Sequence, residues 1–455
     1  MRFAVLVEAC LAVAHTGLII RDTKEIVWAA RTKTPTIVNN KVHSIFLHSP
    51  FTLMSVILAT AGYDREICFW DAPSGICTKK LPHSGSQVNQ LEISPDKQFL
   101  AAAGHSEIRL YEIEGASTEP VLTLKGHSSS VTSLGFHRQH RYLYSGSEDG
   151  TLKLWDLRCD RSFQSFNVQA PVNSVALRVD REEIVSGDAN GMVKLWDLTM
   201  GGNDEHDTTG TNGTSSVTTN RQGRTLSSTH QHTNNQNNNK LHQSPGLIHQ
   251  VQPAEGRVGG CLMQTPIQAV DISLHSRTLV AVSNHGTAYV WNPWKNTDTD
   301  NPFGEPVTKF RAHPQVGSYC LHARISPDCK SLCTTGSDGT AKLWDTTTWE
   351  LKQNLQPEVP AAQQPHQQQP QSNESRSGSS SGQSPESNPD ENESSSQPTP
   401  WIWDAAFCDD SNYLVTASSD TTARIWKLEE GKVVKEYRGH QQGITCVALN
   451  DSTLE

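Results

Sequence analysis

Seven aromatic residues recur along the chain, each at the end of a short segment that alternates apolar and polar residues. The first four follow one another at intervals of roughly 40–45 residues. A polar residue able to hold a tight turn stands six positions before each aromatic, and a small residue stands ten positions before it. This periodicity predicts seven copies of one β-rich unit, which must stack together to bury their apolar faces. The aromatics are Trp70, Tyr111, Trp155, Trp196, Trp291, Trp344 and Trp426.

The third unit carries the clearest motif. Gly126-His127 opens it, Ser145 and Asp149 flank its turn, and Trp155 ends it within Leu-Trp-Asp. This order resembles the WD40 repeat, in which each unit is one four-stranded blade of a propeller. The resemblance implies a hydrogen-bond chain through His127, Ser145, Asp149 and Trp155. Because a buried indole N–H and a buried carboxylate need partners, such a chain is physically sensible. The predicted fold is an all-β, seven-bladed WD40 β-propeller.

The two ends of the chain complement each other. Gly439-His440 is the last Gly-His pair, and one strand-like run at 444–449 follows it. The first unit has no histidine at the position that matches His127. His440 would therefore complete the same four-residue hydrogen-bond chain, or tetrad, with Thr60, Asp64 and Trp70. We therefore predict that the C-terminal strand closes the ring, a device that removes open sheet edges.

The propeller is predicted to span residues 54–455, with 1–53 as an N-terminal extension of uncertain structure. Within that extension, residues 42–47 resemble a strand, which leaves an extra strand or blade as an alternative. Two longer gaps between aromatics contain residues 201–245, rich in Asn, Thr and Gln, and residues 356–399, rich in Gln, Pro and Ser. Both are predicted to be disordered insertions, the first on the bottom of the ring and the second on the top.

Composition narrows the functional classes. The net charge of −10 and the lack of a basic stripe argue against nucleic-acid binding. No uninterrupted apolar run reaches 18 residues, so no membrane span is predicted, and Glu8 interrupts the apolar N-terminus that would otherwise suggest a signal peptide. The ten cysteines have no metal-ligand spacing. We expect a cytoplasmic protein with reduced thiols and without a metal or cofactor.

Two places could serve binding. Trp401 and Trp403 stand on the same side of a strand entrance at the top face, either as a buried plug beside the channel or as an exposed anchor for a partner. Gln87 and Asn89 occupy the matching entrance one blade beyond the closing blade. Separately, Trp155-Asp156-Leu157-Arg158 resembles the WDxR box of substrate receptors for cullin-type ubiquitin ligases, which is the alternative function. A phosphopeptide scaffold would need a basic top-face pocket, and an enzyme would need a catalytic group that does not recur in each blade.

Several stretches are more specific than a generic WD repeat: 57–64, 74–78, 86–89, 101–104 with 108–109, 415–420 and 439–452, together with the tryptophan pair. They resemble the LST8 family of TOR-complex propeller subunits, also called G-protein-β-like proteins. That resemblance implies a protein without enzymatic activity that binds the catalytic domain of the TOR serine/threonine kinase, and other TOR-complex subunits, in both complexes and supports growth signalling. Its partners could also bring this cytoplasmic protein to the periphery of endomembranes. The resemblance also implies a kinase-facing surface built from Gln87, Asn89, Trp401 and Trp403.

Overall fold

The computed structural model describes residues 56–452, apart from 138–141, 159–160, 179–180, 200–244, 254–256, 259–260, 263–264, 274–277, 294–302, 304, 316 and 358–398. The predicted extension 1–53 and nearly all of the predicted insertions 201–245 and 356–399 therefore lie outside the described residues.

The described residues form β-strands joined by turns. In chain order the strands are β1 Ile57–Gly62, β2 Glu66–Trp70, β3 Cys77–Pro82, β4 Gln90–Ile93, β5 Phe99–Ala103, β6 His105–Glu112, β7 Leu122–Phe136, β8 Tyr142–Ser147, β9 Thr151–Asp156, β10 Ser162–Asn167, β11 Val172–Arg178, β12 Glu183–Asp188, β13 Val193–Asp197, β14 Leu247–Val251, β15 Arg257–Val258, β16 Cys261–Leu262, β17 Ile267–Ser273, β18 Thr278–Ser283, β19 Thr287–Trp291, β20 Thr308–Arg311, β21 Cys320–Ile325, β22 Ser331–Gly336, β23 Ala341–Asp345, β24 Leu351–Leu355, β25 Ile402–Phe407, β26 Tyr413–Ser418, β27 Thr422–Lys427, β28 Lys432–Arg438 and β29 Ile444–Asn450.

These strands build seven antiparallel blades, which confirms the predicted fold class. Blade 1 is β29-β1-β2-β3, and blades 4 to 7 are β11–β14, β17–β20, β21–β24 and β25–β28. Blades 2 and 3 share one strand, because the first part of β7 pairs with β6 and its second part pairs with β8. Together β4–β10 therefore form a single seven-stranded sheet. The hairpin β15-β16 lies outside the blades.

The chain closes on itself through β29. This strand pairs with β1 from Ile57↔Asn450 to Gly62↔Ile444. The innermost strands contact one another in the order β4, β7, β11, β17, β21, β25 and β29, and β29 returns to β4. A strand from the end of the chain thus completes the blade that the beginning of the described chain starts.

The core lies between neighbouring blades. One apolar cluster joins Leu58, Trp70 and Val447 of blade 1 to Val415 and Ile425 of blade 7. The second strand of a blade is buried on both faces, as β1, β18 and β26 show along their whole length. Small and β-branched residues suit such a strand because it is covered on each side by a neighbouring blade. This burial explains why a small residue recurs ten positions before each aromatic.

The four residues of the predicted blade 3 tetrad do contact one another, beside the turn between β8 and β9. The Trp155 indole donates to the Ser145 hydroxyl (2.8 Å), which also contacts His127 Nε2 (2.7 Å). His127 Nδ1 lies 2.8 Å from Asp149 Oδ2. Because an ionised carboxylate can only accept, His127 donates from Nδ1. The chain of contacts ties three strands together through buried polar groups.

Blade 1 repeats this arrangement across the two ends of the chain. Trp70 donates to Thr60 (2.7 Å), Thr60 contacts His440 Nε2 (2.8 Å), and His440 Nδ1 lies 2.7 Å from Asp64. The backbone N–H of Gln441 donates to the same carboxylate (3.0 Å). The C-terminal segment is therefore held both by strand pairing and by a buried side-chain network.

The sequence pattern did not locate every member of these networks. His313 forms the tetrad of blade 6 with Asp338 (2.9 Å) and Thr334 (3.2 Å), although an alanine and not a glycine precedes it. In blade 4 the expected turn residue Asn190 is not the buried partner. That role falls to Asp188, which is fully buried and accepts from Lys194 Nζ (2.8 Å).

Removal of residues 440–455 tests the closure. We expect a large drop in the thermal unfolding midpoint, because β29 and His440 are lost and the buried side chains of Ile444 and Val447 each contribute about 1–3 kcal/mol. Circular dichroism melts and limited proteolysis of blade 1 measure the effect. Removal of residues 1–50 serves as the comparison and should leave the midpoint nearly unchanged. Similar damage from both deletions would contradict the closure.

Substitution of Asp149 tests the tetrad. Burial alone raises the pKa of this carboxyl, but hydrogen bonds from His127 and Thr151 outweigh burial and hold that pKa well below its usual range. Its charged form therefore stabilises the fold above the unfolded-state pKa of about 4, and that contribution is lost as the pH falls further. We expect Asp149→Ala to lower the free energy of unfolding by about 1–3 kcal/mol at neutral pH. Urea titrations at several pH values should show this difference shrinking below about pH 4; a difference independent of pH would contradict the role of the carboxylate charge.

Candidate docking surface

The antiparallel order gives the ring two distinct faces. Each innermost strand begins at the face where the turn between the second and third strands also lies, and we call this the top face. Trp401 directly precedes β25 and Trp403 lies within it, so both reach the top face of blade 7. The backbone N–H of Trp401 donates to Ser419 Oγ (2.8 Å), and the N–H of Ser419 donates to the Trp401 carbonyl (2.9 Å). Trp401 is thereby fixed to the turn of its own blade.

Four aromatic rings form a continuous row across this face. Trp401 and Trp403 have ring centroids 5.3 Å apart, Tyr319 of blade 6 lies 6.4 Å from Trp401, and Tyr63 of blade 1 lies 6.2 Å from Trp403. These separations and their tilted or edge-to-face angles are favourable for aromatic pairs. Tyr63, Tyr319 and Trp401 each expose 37 % of their surface. We call these four residues the aromatic patch.

The closing tetrad positions one end of the patch. Tyr63 stands in the turn between β1 and β2, directly before Asp64 of the tetrad, and its backbone N–H donates to the Gly443 carbonyl (3.1 Å). A Cβ on Gly62 would overlap that same carbonyl oxygen, so only glycine permits this close approach. Ring closure and the placement of Tyr63 therefore depend on the same contacts.

Trp403 occupies a position that has a different role in other blades. Asn89, Thr132, Asn173 and Thr445 stand at the equivalent place of their innermost strands. Each donates to a backbone carbonyl of the next blade, at distances of 2.9, 2.7, 2.8 and 2.6 Å. Trp403 is only partly buried, and its indole N–H, though shielded from solvent, finds no acceptor among the described residues. Blade 7 therefore presents a large aromatic ring at the position where four other blades form a blade-to-blade hydrogen bond.

The structure separates the two halves of the predicted kinase-facing set. Trp401 and Trp403 lie together, whereas Gln87 and Asn89 lie beyond Tyr63, next to the Val88 N–H that bonds the Gly62 carbonyl (3.4 Å). Gln87 is exposed and donates to Asn89 Oδ1 (3.2 Å), while the Asn89 amide is engaged with the Val131 carbonyl. Asn89 thus joins two blades, and the binding role of both residues stays a prediction.

Tyr63 and Tyr319 were not identified from the sequence. Tyr319 stands one residue before the first apolar residue of β21, the same place that Trp401 holds before β25. Alignment of this position across the blades would have found it, because the other blades have Gln, Ser, Pro or Gly there. The turn position of Tyr63 carries no comparable signal.

Two features are absent among the described residues: a cluster of metal-ligating side chains and a membrane-spanning helix. Within these residues, no three His, Cys, Asp or Glu side chains group closely enough to hold a metal ion. Likewise, no helix in the described part of the chain has the length and apolar character to cross a bilayer.

Comparison with known proteins agrees with the fold. The family model "WD domain, G-beta repeat" matches residues 75–112, 118–156, 159–197, 304–345 and 394–427. Over 404 residues the chain is 33 % identical to the target of rapamycin complex subunit LST8 of Mus musculus, covering 88 % of this chain and 96 % of that protein. The chain belongs to the LST8 family.

Two further LST8 proteins come from distant organisms. The target of rapamycin complex subunit LST8 of Saccharomyces cerevisiae is 36 % identical over 291 residues, which cover 64 % of this chain and 77 % of the yeast protein. The subunit LST8-1 of Arabidopsis thaliana is 34 % identical over 301 residues, or 66 % of this chain and 80 % of the plant protein. These LST8 relatives give no support to the cullin alternative. Arg158, the residue on which that alternative rests, is 77 % exposed and pairs with Asp156 two residues away.

Paired substitutions distinguish the roles of the two polar residues beside Tyr63. Asn89→Ala removes a hydrogen bond between blades 2 and 3 and should lower the free energy of unfolding by about 1 kcal/mol. Gln87→Ala removes an exposed side chain and should change it by less than about 0.5 kcal/mol. Urea denaturation of both variants measures the difference, and equal effects would show that Asn89 does not join the blades.

Proposed function

We propose that this chain is a non-catalytic scaffold subunit of a TOR kinase complex, which docks its aromatic patch on the catalytic domain of the kinase. The names of the relatives, each a target of rapamycin complex subunit, support the choice of partner. The row of four aromatic rings, three of them exposed, is the observation that supports the choice of surface. A cytoplasmic location is part of the same proposal.

The patch has the features of an interface anchor. Tryptophan and tyrosine dominate the binding energy of many protein interfaces, and truncation of such an anchor often costs about 2 kcal/mol or more. Tyr63, Tyr319 and Trp401 are held by backbone hydrogen bonds of their own blades or of the closing loop. Because the backbone at these residues is already fixed, less conformational entropy is lost when a partner covers their rings.

The use of the titratable groups favours a scaffold over an enzyme. His127, His313 and His440 each have a carboxylate on one ring nitrogen and a hydroxyl on the other. The same contacts recur in separate blades, where they join strands. A catalytic acid or base would be expected at one place and not in each repeat.

Truncation of Trp401 tests the docking surface. With the purified TOR catalytic domain, we expect Trp401→Ala to weaken binding by about thirtyfold, the equivalent of about 2 kcal/mol. Biolayer interferometry gives the affinity, and affinity purification with mass spectrometry shows whether the kinase is recovered from cells. Trp403→Ala should act in the same direction.

Phe163→Ala provides the matched control, because Phe163 is an exposed aromatic residue on the outer strand β10 of blade 3. This variant should bind the kinase domain like the unmodified chain. Recovery of no TOR kinase with the unmodified chain would refute the proposed partner. Equal losses for Trp401→Ala and Phe163→Ala would refute the proposed surface.

A further inference from the structure

A cavity lies on the bottom face of the ring, opposite the aromatic patch. The innermost strands β4, β7, β21, β25 and β29 end at the bottom face, and their ends enclose a cavity of about 730 Å³. This size falls within the range of pockets that bind small molecules or single side chains of a partner. We call this cavity the bottom pocket. It is separated from the aromatic patch by the full height of the blades.

The walls of the bottom pocket combine apolar side chains with polar and charged ones. Ile93, Phe136, Ile325 and Phe407 line its sides, each at or near the last position of an innermost strand. Pro95 and Pro327 stand at its rim on equivalent turns of blades 2 and 6, and both are exposed. An aliphatic chain that enters the pocket would therefore meet apolar atoms on several sides.

The charge of the lining is strongly one-sided. Four carboxylates line the pocket, and Arg324 is the one cation among the residues that form its described wall; the carboxylates belong to Glu92, Asp96, Asp409 and Asp451. Lys97 lies close by: its ammonium donates to the Ser452 carbonyl (2.7 Å) and attracts the carboxylates of Asp409 and Asp451. Together with Arg324 it offsets part of the acidic charge, and the carboxylates still outnumber the cations. Burial, and then the charges of Asp409 and Asp410, raise the pKa of the Asp451 carboxyl. A cation entering the pocket would relieve this repulsion.

Asp409 is the carboxylate most available to a ligand. Its side chain is exposed, and it accepts no hydrogen bond from the part of the chain that the structure describes. By contrast, Asp96 caps its own turn through Ser94 (2.5 Å) and the Gln98 N–H (3.1 Å), and Asp451 accepts from the Asp409 N–H (2.9 Å). Asp409 can therefore be changed without removing a contact that holds a turn.

We propose that the bottom pocket binds a basic segment of a partner polypeptide, which inserts an arginine or lysine side chain past the two prolines and sets its cation among the four carboxylates. Long basic side chains suit this site because their stems are apolar and their ends are charged. A bare metal ion suits it less, since no three potential ligands in the described residues group closely enough to hold one. An anionic ligand would meet a surplus of negative charge.

A charge-reversal pair on the full chain tests the proposal. The probe is a fluorescein-labelled peptide with two arginines in a Gly/Ser/Leu background, and its control has citrulline in place of both arginines. Fluorescence anisotropy at low salt should show saturable binding of the arginine peptide and none of the citrulline peptide. Asp409→Lys should weaken binding by about tenfold or more, and added salt should weaken it as well.

Glu429→Lys is the matched control. Glu429 is an exposed acid on the bottom face of the same blade, in the turn between β27 and β28 and outside the pocket lining. It should leave the affinity of the peptide unchanged within about twofold, because its charge does not face the pocket. If Asp409→Lys and Glu429→Lys weakened peptide binding equally, the effect would come from the overall surface charge and not from the pocket. That result would overturn the proposal.

Two other results would also overturn it. Equal binding of the arginine and citrulline peptides, or no binding of either, would show that the bottom pocket does not select a cation. Neither result depends on kinase binding, so the outcome is independent of the proposed function.

Discussion

The pairing of β29 with β1 is the contact on which the rest of the molecule depends. Without it, blade 1 lacks its innermost strand, and blades 7 and 2 each lose a neighbour. The pairing is reinforced by a side-chain network in which His440 reaches Thr60 and Asp64 near the other end of the described chain. Backbone and side chain thus close the ring together. Because Asp64 directly follows Tyr63, the same contact also fixes part of the surface that the ring presents.

The sequence predicted the features that follow from repetition. The number of blades, the closing strand and the tetrad of blade 3 could be found because buried polar groups require partners at fixed offsets. His313 was missed because the search relied on Gly-His, although only the histidine takes part in the hydrogen bonds. Asp188 was missed because a carboxylate two positions earlier in the strand can reach Lys194, which a fixed offset does not anticipate. Such substitutions keep the contact while they change the pattern.

The candidate surface was only partly predictable for a related reason. Alternation placed Trp401 and Trp403 on one side of the strand entrance, but it could not show that Tyr63 and Tyr319 continue the row from neighbouring blades. Those contacts join residues far apart in the chain and depend on how the blades stand beside one another. Asn89 resembles a surface residue in the sequence, but in the structure its side chain joins blade 2 to blade 3. It stands at the position where three other blades also bridge to their neighbour.

The shared strand β7 has a mechanical consequence. Elsewhere adjacent blades are held by loops, side-chain contacts and single backbone hydrogen bonds such as that from Val88 to Gly62, so each can in principle loosen with modest effect on the next. Blades 2 and 3 instead share the continuous strand β7, whose first part pairs with β6 and whose second part pairs with β8. Local opening of one of these blades therefore strains a strand that the other also uses, which couples the two more directly than blades joined only by loops and side chains.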